Sequence, residues 1–114
     1  MDIKFATTKL KKELNEEKAM VRAYGPLRAK KLKIALAMMR AAPTLGVFAP
    51  PMSHPHRCHE LTGDRQGQLT VDLDHPYRLV FRPDHDPLPI REEGGLDWRQ
   101  VVAIEIIEIE DTHG

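Results

Sequence analysis

Apolar residues recur with one spacing in the first forty positions of the chain and with another after residue 68. From Lys9 onward, Leu10, Leu14, Val21 and Tyr24 fall at intervals that gather side chains on one helical face. Thr7 or Thr8 can cap that helix, because a hydroxyl there accepts from backbone N–H groups that lack a partner in the first turn. Gly25 ends it, and Pro26 suits the first turn of a second helix that runs to about Ala42, where Pro43 stops it. Leu32, Leu36 and Met39 give this second helix its buried stripe, and Met38 and Met39 read as core filler. A two-residue break between the helices predicts an antiparallel helical hairpin. Ahead of it, "DIKF" has the pattern of a short strand.

"APTLGVFAPPMSHP" has no period and is read as loop. Beyond it, Leu69, Val71 and Leu73 alternate with polar residues, as a strand with one buried face requires. "DHP" turns the chain, and Tyr77, Leu79 and Phe81 alternate back against Arg78, Val80 and Arg82. A second loop, "DHDPLPIREEGGLDW", leads to "VVAIEIIEIE", whose apolar residues change phase. Ile104 and Ile106 share one parity and Ile107 and Ile109 the other, so a β-bulge near Ile106–Ile107 would bring both pairs to the core face. The predicted fold class is α+β: two N-terminal antiparallel helices packed on a small, mostly antiparallel sheet. With no internal repeat, residues 1–114 read as a single domain, and 114 residues suffice for one modest core.

Composition adds three points. No apolar run approaches the roughly 20 residues of a membrane span, and "MDIKFATTKLKKEL" lacks the apolar region of a secretion signal. Cys58 is the one cysteine and cannot form an internal disulfide, so the expected location is cytoplasmic. The net charge of zero conceals a gradient: residues 1–40 carry +7, residues 41–82 are balanced, and residues 83–114 carry −7. A basic first part fits an anionic partner such as RNA, with Lys30, Lys31 and Lys33 as candidate contacts; a solvated helix face accounts for the same lysines.

Chemistry-bearing residues concentrate in "SHPHRCHELTGDRQG". His54, His56, Cys58 and His59 are ligand types for zinc or nickel, but their spacing fits no closed site, so neither metal nor cofactor is expected and Cys58 is read as a small apolar residue.

Three segments resemble the RelE/HigB-type toxins of bacterial toxin–antitoxin systems, also called plasmid maintenance killer proteins. "YGPLRAKKLKIALAMMRAAPTL" looks like the second helix of such toxins and its exit. "HELTGDRQGQLTVDLDHPYRLVF" is similar to their H-x-L-K-G-D-R-x-G hairpin followed by Y-R-(I/L)-x-F, and "EIIEIEDTHG" to the closing strand ending in D-Y-H. The resemblance covers nearly the whole chain. It implies a RelE/ParE-like fold and an endoribonuclease that cuts messenger RNA in the ribosomal decoding site. It also implies an antitoxin partner, a helix-turn-helix protein through which alone the toxin would meet operator DNA, and no contact with membranes. Residue by residue, it assigns catalytic roles to His59, Asp111 and His113, with Arg65 in the G-D-R-x-G turn and Arg78 in the Y-R-L-x-F strand. Arg57, just before that hairpin, joins the lysines as a candidate RNA contact. Thr62 stands where the family has lysine and Thr112 where it has tyrosine, which removes a phosphate-binding cation and a stacking ring.

Such chemistry suits these residue types. Metal-free RNA cleavage uses the substrate's 2′-hydroxyl as nucleophile and needs a proton acceptor, a proton donor and charge stabilisation at phosphorus. Histidine titrates near working pH and serves the first two needs; arginine's planar donors match phosphate oxygens. Plain readings stand beside each assignment: a loop histidine at 59, a turn residue at 65, a strand end at 111, and solvent-facing strand arginines at 78 and 82. Two other functions also fit the fold. One is a toxin that poisons a protein such as DNA gyrase; the other is a non-catalytic member that only binds an antitoxin and regulates its operon.

Overall fold

The computed structural model describes residues 1–49 and 57–112. It is an α+β fold in the order β1 (Asp2–Phe5), α1 (Thr8–Asn15), α2 (Glu17–Ala41), β2 (His59–Glu60), β3 (Leu69–Asp72), β4 (Tyr77–Pro83) and β5 (Ala103–Asp111). The five strands form one sheet in the order β1-β5-β4-β3-β2. Only β1–β5 is parallel; the other pairs are antiparallel. No helix among the described residues is long and apolar enough to cross a membrane.

Thr7 caps α1 by accepting from the Leu10 N–H at 3.1 Å. The helical region breaks twice, not once. At Glu16 the backbone turns extended (φ −121, ψ 120), a break the spacing did not reveal. Asn15 precedes it, a residue whose side chain competes for backbone hydrogen bonds and weakens a helix interior. The break resets the helical phase. Met20, not Val21, therefore takes the buried position; Met20 is 4% exposed and Val21 38%. The expected second break is a single residue, Gly25, whose φ of 82 and ψ of 161 favour glycine. The chain folds back there. Lys33 bonds Glu17, and Arg40 bonds Asn15, both at 3.1 Å, which is the pairing of an antiparallel hairpin.

The predicted stripe of Leu32, Leu36 and Met39 is buried against one face of the sheet, with Leu69, Val71, Leu79, Phe81, Ile104 and Ile106 opposite. Between helix and sheet, "LGVF" forms a short 3-10 turn at Leu45–Phe48 and drops Leu45 and Phe48 into the core, so that part of the expected loop is built into the structure. Replacing Leu36 with alanine should cost about 2–5 kcal/mol by leaving a cavity under the helices. Urea denaturation would read this as a lower midpoint with an unchanged slope.

The bulge lies where the phase change put it. Val80 pairs with Glu108 and Phe81 with Ile106, so Ile107 is the extra residue. Its consequence differs from expectation in one respect: Ile104, Ile106 and Ile109 join the core, while Ile107 is half-buried outside it. The far face of the sheet also departs from simple alternation. Thr70 and Val80, paired across β3 and β4, are both fully buried there, although the helices lie on the other side.

Candidate functional site

Strand register defines this helix-free outer face. Partners opposite one another in a sheet point the same way, so His59, Thr70, Val80 and Glu108 form one row, and Asp72, Arg78 and Glu110 form the next. On the far side of the bulge, Arg82 faces Glu105. The basic residues of β4 thus meet the acidic residues of β5.

Arg65 joins them from the turn between β2 and β3. Gly63 (φ 68) and Gly67 (φ 98) supply the left-handed positions that let this turn close. Gln68 Oε1 accepts from Arg65 Nε and Nη2 at 3.2 and 3.1 Å. Arg65 Nη1 donates to Glu110 Oε1 at 2.6 Å, and Arg78 Nε donates to Glu110 Oε2, also at 2.6 Å. Because β4 separates β3 from β5, Arg65 reaches Glu110 only by crossing the outer face. It is more than a turn residue.

Glu110 is therefore gripped by two cations. Desolvation raises its pKa, but hydrogen bonds and charge from Arg78 and Arg65 outweigh this and hold it below the ordinary carboxylate value. A depressed pKa contributes stability that is complete above the unfolded-state value and disappears as pH falls through the folded-state value. From about pH 5 downward, wild type should lose stability more steeply than Glu110→Gln. Urea midpoints across that range would show the two converging.

His59 lies on the edge strand β2, exposed, with Nδ1 3.2 Å from the Thr70 hydroxyl. Thr70 is wholly buried, so it anchors the ring and leaves Nε2 as the nitrogen it does not engage. Arg57 has a left-handed backbone (φ 48) and lies 3.7 Å from Asp72, at the same end of this face as Arg78.

Other candidates lie elsewhere. Asp111 pairs with Tyr77, which by register assigns it to the helix side of the sheet, opposite Glu110. The guanidinium of Arg28 covers the Tyr77 ring at 3.4 Å and bonds Asp74, forming a separate cluster on that side. Register thus separates the backbone position of Asp111 from the face that carries Arg65 and Arg78. His113, like His54 and His56, lies outside the described residues. Lys30, Lys31 and Lys33 are exposed on α2, in the layer on the opposite side of the sheet from His59, and Lys33 already pairs with Glu17. Cys58 is 1% exposed, and burial, aided by Glu60, pushes its thiol up to about 12, so it is an inert core residue. Among the described residues no group of three or more His, Cys, Asp or Glu side chains could hold a metal ion.

Thr112, where the resembled family has tyrosine, bonds the Pro76 carbonyl through both its N–H (2.9 Å) and its hydroxyl (2.8 Å). It fastens the end of β5 to the β3–β4 turn. A cleft of about 730 Å³ opens beside His59, lined in part by Trp98, Arg91 and Arg99, but Glu60, Glu92, Glu93 and Asp97 give it a negative balance. Glu110 and Thr70 were missed by sequence reasoning. The alternation in "EIIEIE" was the available signal for Glu110, once β5 is set beside β4. No family model and no curated protein matches the sequence.

Proposed function

We propose that this chain is a ribosome-dependent endoribonuclease toxin of the RelE/HigB type, silenced by an antitoxin. The observation that carries the proposal is the convergence of Arg65 and Arg78 on one anion, on the face that also holds His59 against Thr70. Two guanidinium groups directed at a common point can bind a phosphodiester and stabilise the charge that develops as it is attacked. His59 Nε2 then takes the proton from the 2′-hydroxyl or gives one to the departing 5′-oxygen. The 2′-oxygen bonds to phosphorus as the P–O5′ bond breaks, leaving a 2′,3′-cyclic phosphate and a 5′-hydroxyl. No metal takes part in this scheme. The second proton carrier in this reading is His113, on the resemblance alone. Asp111, which register sets on the helix side of the sheet, keeps its place in this reading on the resemblance alone. Lys30, Lys31 and Lys33 offer a second, separate surface to ribosomal RNA.

Primer extension on RNA from cells expressing the protein tests the reading. Breaks within translated messages that vanish when translation is blocked are the expected result. Intact messages in growth-arrested cells would overturn it and favour a protein-poisoning toxin.

Thr70→Val is nearly isosteric and removes only the hydroxyl that anchors His59. Loss of a single neutral hydrogen bond predicts a cleavage rate lower by about tenfold, with a shifted pH–rate profile and unchanged ribosome binding. Single-turnover cleavage on purified ribosomes would measure it.

A further inference from the structure

Among the described residues, each cation of the outer face has a carboxylate beside it. Arg57 faces Asp72, Arg82 bonds Glu105 at 2.6 Å, and Arg65 and Arg78 share Glu110, while Glu108 projects from the same face. Four arginines meet four carboxylates there, and Lys4, which register sets opposite Glu105 on the same face, pairs with Asp84 at 3.1 Å. An RNA strand approaching this surface finds no net attraction unless a carboxylate moves.

Glu110 differs from its neighbours in stoichiometry. A cross-strand ladder needs one arginine for each glutamate, as Arg82 and Glu105 illustrate. Glu110 has two, and the second comes from a glycine-bounded turn on the other side of β4. Each arginine takes a different carboxylate oxygen. A phosphodiester offers the same single negative charge and two non-bridging oxygens. The Glu110 side chain is 21% exposed and the two arginines 31% and 21%, so the cluster can be reached from solvent.

We propose that Glu110 is a built-in occupant of the phosphodiester site: its carboxylate holds Arg65 and Arg78 together until an RNA phosphate displaces it. This rests on the nuclease reading above and adds a restraint to it. The exchange is like for like, one anion for another, so it favours RNA only where other contacts, such as those on the ribosome, add to the phosphate's binding. Free RNA competes poorly. The same carboxylate keeps the two arginines prearranged, so the site is assembled before substrate arrives.

The test measures affinity for a short 2′-O-methyl oligoribonucleotide, which cannot be cleaved, by fluorescence anisotropy on purified full-length protein. Glu110→Gln keeps the size of the side chain and removes its charge; it should bind on the order of tenfold more tightly than wild type, while Arg78→Gln should bind more weakly. Glu110→Asp withdraws the carboxylate by one methylene and should fall between wild type and Glu110→Gln; if Glu110→Gln does not fold, this variant alone decides. Affinity no higher than wild type in a folded Glu110→Gln or Glu110→Asp would overturn the proposal. Tighter binding in Glu110→Gln with messages intact on translating ribosomes would keep the occupant and remove the nuclease reading. Cut messages with unchanged affinity in Glu110→Gln would do the reverse.

Discussion

His59→Ala should lower ribosome-dependent cleavage by about a hundred- to ten-thousand-fold, the usual cost of losing a general acid or base. Ribosome binding and thermal stability should change little, because His59 is exposed and, among the described residues, its side-chain hydrogen bond is to the Thr70 hydroxyl. His59→Gln keeps a hydrogen-bonding group but cannot shuttle a proton at neutral pH, and should be as inactive as alanine. If residues 59 and 113 act as a unit, the double alanine variant should be little worse than either single one. Cleavage that survives loss of His59 would leave the arginines as the residues to examine.

Arg78→Ala should have the second largest effect, about a hundred- to a thousand-fold on the cleavage rate, as for removal of one preorganised donor to a developing oxyanion. Arg78 lies on β4 in the middle of the sheet, so its guanidinium is held by a rigid element, whereas Arg65 is held by a turn and by Gln68. Arg65→Ala should therefore cost less. Arg78→Lys should not restore the rate, because an ammonium cannot present the planar pair of donors that Nε and Nη2 direct at one carboxylate oxygen. Single-turnover rates on ribosome complexes, with ribosome affinity measured separately, distinguish lost chemistry from lost binding.

How far the sequence disclosed all this depended on the range of each interaction. Local signals were readable. Thr7 as cap, Gly25 as hairpin break, the stripe of Leu32, Leu36 and Met39, and the extra residue at Ile107 all follow from spacing and backbone preference within a few positions. The break at Glu16 escaped because no glycine or proline marks it, and the misassigned burial of Val21 followed directly from that. Thr70 and Val80 depart from alternation, since both are fully buried on the outer face, where spacing within a strand predicts solvent-facing positions. The site was legible in residue type but not in arrangement. Arg65 was a candidate by resemblance, but spacing alone left it a turn residue, because its partner, Glu110, is 45 positions away. Asp111 and Glu110 are adjacent in sequence, yet a single step along a strand puts them on opposite faces. Only the register of β4 against β5 decides which of them meets the arginines.

The reaction itself is best tested with purified protein, translating ribosomes and a message bearing one 2′-deoxynucleotide immediately 5′ of the bond that is cut in the all-ribose control. With the 2′-hydroxyl as nucleophile, that bond should stay intact, while cuts in the control should leave 2′,3′-cyclic phosphate or 3′-phosphate ends. Cleavage at the deoxy position, or ends carrying a free 3′-hydroxyl, would contradict the mechanism built on His59, Arg65 and Arg78.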